Sequence, residues 1–196
     1  MNRTLDVAIA GTALVAASPL LALSALAIKL EDGGPVLYKQ VRVGKDGVDF
    51  ELLKLRTMVV GAETQGAGYA VNEGDTRITK VGRVLRRLSL DELPQLWNVV
   101  RGDMSIIGPR PTLRYQVEQY DERQRHRLDV KPGITGWAQI HGRATLPWAD
   151  RIELDLWYVR HRDWKTDLLI LVRTPLALFG GTYKGATGGW RYPPQE

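Results

Sequence analysis

The chain has 196 residues, enough for one domain with a real core and too few for two comfortable ones. It contains no cysteine, which excludes a disulfide scaffold and a Cys-based metal site. Its 27 Lys and Arg against 22 Asp and Glu leave a net charge of +5, a balance that suits an anionic membrane surface, nucleic acid or phosphorylated substrates.

Residues 5–28 (LDVAIAGTALVAASPLLALSALAI) carry a single charge, Asp6, and have the composition of a membrane segment. A cleaved signal peptide fits less well, because the apolar run is long and only Met1, Asn2 and Arg3 precede it. A straight helix of this length would reach about 36 Å, enough to cross a bilayer core of about 30 Å. Ser18-Pro19 complicates that reading, because proline removes a backbone donor and disfavours helical geometry at the residue before it. A break there leaves arms of about 20 and 16 Å, which suit a re-entrant helix-break-helix that enters and leaves one leaflet, with the Ser18 hydroxyl free to satisfy a carbonyl at the bend. Arg3 and Lys29 at the two ends agree with both facing the cytoplasm. Composition alone leaves this reading and a kinked spanning helix open.

Glu31-Asp32-Gly33-Gly34-Pro35 is turn chemistry and marks the boundary of the membrane segment. Residues 36–43 (VLYKQVRV) and 48–58 (VDFELLKLRTM), around Gly44-Lys45-Asp46-Gly47, predict a β-hairpin. Lys54 and Arg56 share a face of its second strand by the two-residue period. Four glycines in 59–76 predict a loop able to close over a substrate. Thr79 is expected to cap a short helix through Leu88 whose arginines, Arg83, Arg86 and Arg87, suit lipid headgroups, with Arg86 placed to turn inward.

The stretch SLDELPQLWNVVRGDMSIIGPRP, residues 89–111, sets Asp91 and Glu92 at an expected helix start and Arg101 and Arg110 on turn-rich segments. Pro94 is tolerated only in a first helical turn, which makes Asp91 the expected N-cap. Carboxylates crowded with arginines point to chemistry on a phosphate.

Residues 112–126 predict a helix with Leu113, Val117 and Tyr120 on one side and its charges toward solvent. In KPGITGWAQIHGR, residues 131–143, the glycines predict a structured loop or short extended segment around Trp137 and Gln139, with core packing favoured over base stacking for Trp137. His141 lacks the neighbours a metal site needs. A helix is expected over 148–161, and a core or interfacial helix over 167–179, too short to span and interrupted by Arg173 and Pro175. The Gly- and Pro-rich tail from residue 180 reads as loosely ordered.

LDELPQLWNVVRGDMSIIGPRP, with KLRTM before it and KPGITGWAQIHGR and ELDLWYV after it, resembles the small monotopic bacterial polyprenyl-phosphate phosphoglycosyl transferases over nearly the whole chain. The resemblance implies an α+β, mostly helical fold: a re-entrant helix over 1–30, a small hairpin, and interfacial amphipathic helices around a cytoplasmic active site in a catalytic domain over 31–196, together a minimal catalytic unit at the bacterial inner membrane. It further implies a UDP-sugar donor, a polyprenyl phosphate acceptor, UMP as product and Mg2+ as cofactor, with membrane lipids as partners and no nucleic acid. By position Asp91 would be the nucleophile and Glu92 the magnesium ligand. Arg86, Arg110 and Arg143 would hold phosphate or nucleotide groups, with Lys54 and Asp155 also at the site, and Ser18 and Pro19 would form the membrane break. His141 stands where the family more often has Asn. A membrane-anchored module that binds anionic lipid or nucleic acid without turnover is the alternative, and it leaves Asp91 and Glu92 without a role.

Overall fold

A computed structural model describes residues 2–65, 68, 74–142 and 146–179. In chain order these form α1 (Arg3–Asp32), β1 (Leu37–Val43), β2 (Asp49–Leu55), α2 (Lys80–Arg87), α3 (Gln95–Arg101), β3 (Ser105–Ile107), α4 (Arg114–Val117), α5 (Glu122–Arg125), β4 (Gly133–Thr135), α6 (Trp137–Ile140), α7 (Trp148–His161) and α8 (Trp164–Phe179). Helix dominates, and the sheets are two small pairs, β1 with β2 and β3 with β4.

The Asn2 side chain accepts from Thr4 N at 3.2 Å to start α1, and Gly33 ends it at φ 71°, where a side chain would be strained. Its 30 residues run through Pro19 as one continuous helix, so the break expected at Ser18-Pro19 does not interrupt it. The local chemistry explains why. Pro19 has no N–H to give to Val15, and the Ser18 hydroxyl donates to that same carbonyl at 2.8 Å. Leu5, Val15, Leu20, Leu23, Leu26 and Leu30 are exposed, and among the described residues α1 is the one helix long and apolar enough to cross a membrane.

Both ends of α1 are fastened to the rest of the fold. At the first turn Arg3 donates to the carbonyls of Val99 at 2.5 Å and Val100 at 2.7 Å, and the buried Asp6 carboxylate accepts from Ser105 Oγ and Ile106 N at 2.9 Å. At the last turn Glu31 accepts from Lys80 N at 2.7 Å, Asp32 pairs with Arg56, and Ile28 is buried with Leu55 and Leu85. Strand β2 ends at Leu55, so Arg56 leaves the face of Lys54 and serves this junction instead.

The hairpin forms as expected, in the register Leu37↔Leu55 to Val43↔Asp49. Asn98 of α3, fully buried, accepts from Leu53 N at 3.0 Å and donates to Glu51 O at 2.7 Å, so its amide does for the edge of β2 what a further strand would do. Strands β3 and β4 run parallel, Ser105 opposite Gly133 and Ile107 opposite Thr135. Their backbones approach so closely that a Cβ on Gly133 would lie 2.1 Å from Gly108 N, and one on Gly136 2.2 Å from Gly108 O. The glycines of KPGITG are thus explained by backbone packing.

The single helix expected over 112–126 is instead two separate turns, α4 and α5. Asp121 restarts the helix with a capping box, accepting from Gln124 N at 2.7 Å while its own N–H goes to Gln124 Oε1 at 3.2 Å. Helix α7 has the expected bounds. Helix α8 buries Ile170 completely and exposes Trp164, Leu168, Val172 and Leu176, continuing through Arg173 and Pro175. In the expected loop over 59–76, buried Arg77 pairs with Asp75 and donates to the carbonyls of Ala62, Gln65 and Gly68 at 2.7–2.8 Å. Residues 66, 67 and 69–73, and the tail from 180, lie outside the described residues.

Candidate active site

Helix α2 begins as expected, with Thr79 Oγ1 accepting from Gly82 N at 2.9 Å. Gly82 sits where a Cβ would fall 2.0 Å from the Thr57 carbonyl, so α2 lies directly against the chain leaving β2. The same contact aims Arg86, whose Nε donates to Thr57 Oγ1 at 2.7 Å. Past α2 the chain turns at Ser89, held in the left-handed region at φ 55°, a conformation costly for a residue with a side chain. A 3-10 turn over Leu90–Glu92 follows, and Pro94 is the residue before α3. Asp91 is therefore not the cap of α3. Pro94 takes that place because its φ of −60° is already helical, and Trp97 N donates to its carbonyl at 3.0 Å.

The turn places the neighbouring carboxylates in unlike surroundings. Glu92 Oε1 accepts from Lys54 Nζ at 2.8 Å and from Arg110 Nη2 at 2.6 Å. Burial alone would raise the Glu92 pKa, but the charges and hydrogen bonds of Arg110 and Lys54 outweigh it and hold the group far below the ordinary glutamate range. Asp91 is also buried, and among the described residues no hydrogen bond or ion pair engages its carboxylate. Burial, helped by Glu92, raises its pKa, and Lys54, Arg86 and Arg110 offset this only in part. Asp91 thus stands between opposed effects, its charged form disfavoured by desolvation and favoured by three nearby cations.

Arg110 is fixed from behind. Arg127, fully buried, donates to the Arg110 carbonyl at 2.7 Å, Thr112 Oγ1 at 3.2 Å, Tyr120 Oη at 2.8 Å and Asp155 Oδ2 at 2.7 Å. These bonds hold the Arg110 carbonyl and the Thr112 side chain, one on each side of Pro111. Asp155 is 1% exposed and belongs to this support, with Oδ1 meeting no hydrogen-bond partner among the described residues, rather than to the surface that a substrate would touch. Of the predicted site residues, Asp91, Glu92, Lys54, Arg86 and Arg110 come together, Asp155 stands behind them, and Arg143 lies outside the described residues. Ser18 and Pro19 sit on the exposed part of α1. His141 caps its own helix turn, Nδ1 against Trp137 O at 2.8 Å, and its ring lies 4.3 Å from that of Trp137. Trp137 packs against the core and stacks on Trp157 at 4.4 Å, as the core-packing reading requires.

Sequence reading missed Arg127, because an arginine in the run DERQRHR looks solvated until Asp155 and Tyr120 arrive from elsewhere. Among the described residues no three His, Cys, Asp or Glu cluster as a metal cage. The pair Asp91 and Glu92 still fits Mg2+, which is commonly held by one or two carboxylates with substrate phosphates completing its shell, and Glu92 spends only Oε1 on its two cations.

Adjacent carboxylates ringed by Lys and Arg, next to a long exposed apolar helix, are the equipment of an enzyme of phosphate chemistry at a lipid surface. The chain belongs to the bacterial sugar transferase family, whose model matches residues 1–181. It is 43% identical to the sugar transferase EpsL of Bacillus subtilis over 89% of this chain and 85% of that protein. It is 40% identical to the exopolysaccharide production protein ExoY of Rhizobium meliloti over 93% of this chain and 88% of that protein. It also matches the UDP-glucose:undecaprenyl-phosphate glucose-1-phosphate transferase of Escherichia coli, 43% identical over 89% of this chain but spanning 39% of that longer protein.

Proposed function

We propose that this protein transfers a sugar 1-phosphate from a UDP-sugar to undecaprenyl or a similar polyprenyl phosphate, releasing UMP, as the first membrane step of exopolysaccharide or glycoconjugate assembly. Relatives named as undecaprenyl-phosphate transferases of glucose or N-acetylgalactosamine phosphate support the reaction class. The observation that carries the mechanism is Asp91, a buried carboxylate with unengaged oxygens facing three cations. Its oxygen attacks the sugar-proximal phosphorus, the bond to the UMP oxygen breaks, and UMP leaves with the electron pair. The acyl-phosphate on Asp91 is then attacked by an oxygen of the lipid phosphate, which regenerates the carboxylate and leaves a diphosphate-linked sugar. Lys54, Arg86 and Arg110 lower the repulsion between carboxylate and phosphate in both steps. Glu92, with Asp91, would hold Mg2+, which when bound supplies further neutralisation of phosphate charge. Arg143 is assigned a phosphate or nucleotide contact by its position in the motif, and Asp155 acts through Arg127 on Arg110.

The membrane reading is that α1, continuous through Pro19 yet able to bend where Pro19 makes no backbone bond, dips into the cytoplasmic leaflet of the inner membrane and returns, with the site on the cytoplasmic face. It is supported by the fastening of both helix ends to one catalytic body, since a spanning helix would carry one end to the far side. Incubating purified protein with UDP-sugar and no acceptor tests the chemistry. One UMP per chain and a phospho-sugar adduct on Asp91 are expected, and Asp91→Asn should abolish both the adduct and turnover. An Asp91→Asn variant with normal activity would remove Asp91 as nucleophile.

A further inference from the structure

We infer that Arg42 forms, together with Arg110, a further phosphate-binding position of the site, able to take a phosphate group of the nucleotide donor or of the lipid acceptor. The inference rests on the transfer reaction proposed above.

Arg42 lies on β1, where the two-residue period puts Tyr38, Gln40 and Arg42 on one face. In the hairpin register Tyr38 stands opposite Lys54, so the face that delivers Lys54 to Glu92 also carries Arg42. The guanidinium is held in place. Nε and Nη2 donate to Gln40 Oε1 at 3.0 and 2.5 Å, and Nη1 donates to the carbonyl of Pro111 at 3.3 Å, next to Arg110.

Those partners orient Arg42 and neutralise none of its charge. Arg56, Arg77, Arg114 and Arg127 each pair with an aspartate, but among the described residues no carboxylate pairs with Arg42. Three of its five N–H donors are used, which leaves one on each Nη for phosphate oxygens. It faces a second cation: burial and the nearby Arg110 push its pKa down to about 10. A half-buried cation beside another cation, positioned by neutral groups alone, is unfavourable as it stands and is relieved by an arriving anion. Glu92 and the phenols of Tyr38 and Tyr115 are close enough to act on it electrostatically, and a phosphate there would lie between the hairpin face and the Arg110 segment.

The test compares Arg42→Met and Arg42→Lys with wild type in steady-state assays with UDP-sugar and polyprenyl phosphate, alongside the thermal shift produced by inorganic pyrophosphate. We expect Arg42→Met to raise one KM about ten-fold or more with kcat within about three-fold, Arg42→Lys to show a smaller rise, and the pyrophosphate shift to shrink in both. A rise in the donor KM assigns the position to the nucleotide diphosphate, and a rise in the acceptor KM assigns it to the lipid phosphate. If folded Arg42→Met keeps both KM values and the pyrophosphate shift of wild type, or loses kcat alone, Arg42 holds no phosphate. If Arg42→Met does not fold, the same readings on Arg42→Lys decide. If wild type releases no UMP, the transfer reading fails, and pyrophosphate binding by wild type but not by Arg42→Lys would still establish the anion position.

Discussion

Burial and the cations around Asp91 act on its carboxyl in opposite directions, and burial prevails. Two consequences can be measured. The rate should fall on the acid side as Asp91 takes up a proton, with an apparent pKa above that of an ordinary aspartate, as pH profiles of UMP release would show. Because a raised pKa means that the folded state disfavours the charged form, Asp91→Asn should raise Tm at neutral pH by about 1–3 °C while abolishing turnover, for a domain in which 1 kcal/mol moves Tm by about 2–4 °C. A lowered Tm would show that the cations need the carboxylate more than its burial costs. Glu92 has the opposite sign. Its depressed pKa contributes stability that is present above the ordinary glutamate range and is lost as pH falls through the folded value. Glu92→Gln should remove that acid-range dependence, and by freeing Lys54 and Arg110 it should lower kcat/KM about 100-fold or more, the scale expected when a buried charged pair loses one partner.

Between elements, the site depends on contacts with little slack. Gly82→Ala would press a methyl group into the Thr57 carbonyl, so α2 must shift and carry Arg86 with it; a loss of about 1–3 kcal/mol in denaturant unfolding is expected, with a fall in turnover. Breaking the Arg127–Asp155 pair from one side should cost about 3–5 kcal/mol, and a double-mutant cycle of Arg127→Met with Asp155→Asn should fall well short of the sum, because the second change removes a charge already left unpaired. The elements themselves were largely legible: the hairpin from its turn and β-branched runs, α2 from Thr79, α7 from its periodicity. Where sequence reading failed, a local signal had been taken alone. Asp91 looked like a cap only because Pro94 was placed inside the helix instead of before it. The charges of 112–126 were read as solvated and Arg127 just beyond them was passed over, because period alone cannot show that Arg127 meets Asp155 across 28 residues. The glycines of KPGITG were read only as forming a loop or short extended segment, because nothing local reveals that Gly108 packs against them.

For the molecule as a whole, the motif around Asp91 and Glu92 was legible because a short segment carries most of its chemistry, and Arg42 was not, because its role comes from what it lacks. Membrane placement is a property of the complete fold. Tags at residue 1 and residue 142 should be labelled from the same, cytoplasmic side; labelling of residue 1 from the periplasm would require α1 to span and its Asp6 contact with Ser105 to be broken. With both ends of α1 fastened to the catalytic body, the height of Asp91 above the lipid is set by the length of a helix and not by a flexible tether. On the membrane placement proposed above, the enzyme meets its acceptor by diffusion in a plane. Its rate should then follow the mole fraction of polyprenyl phosphate in the membrane and stay unchanged when the same vesicles are diluted in buffer at a fixed ratio of lipid to enzyme.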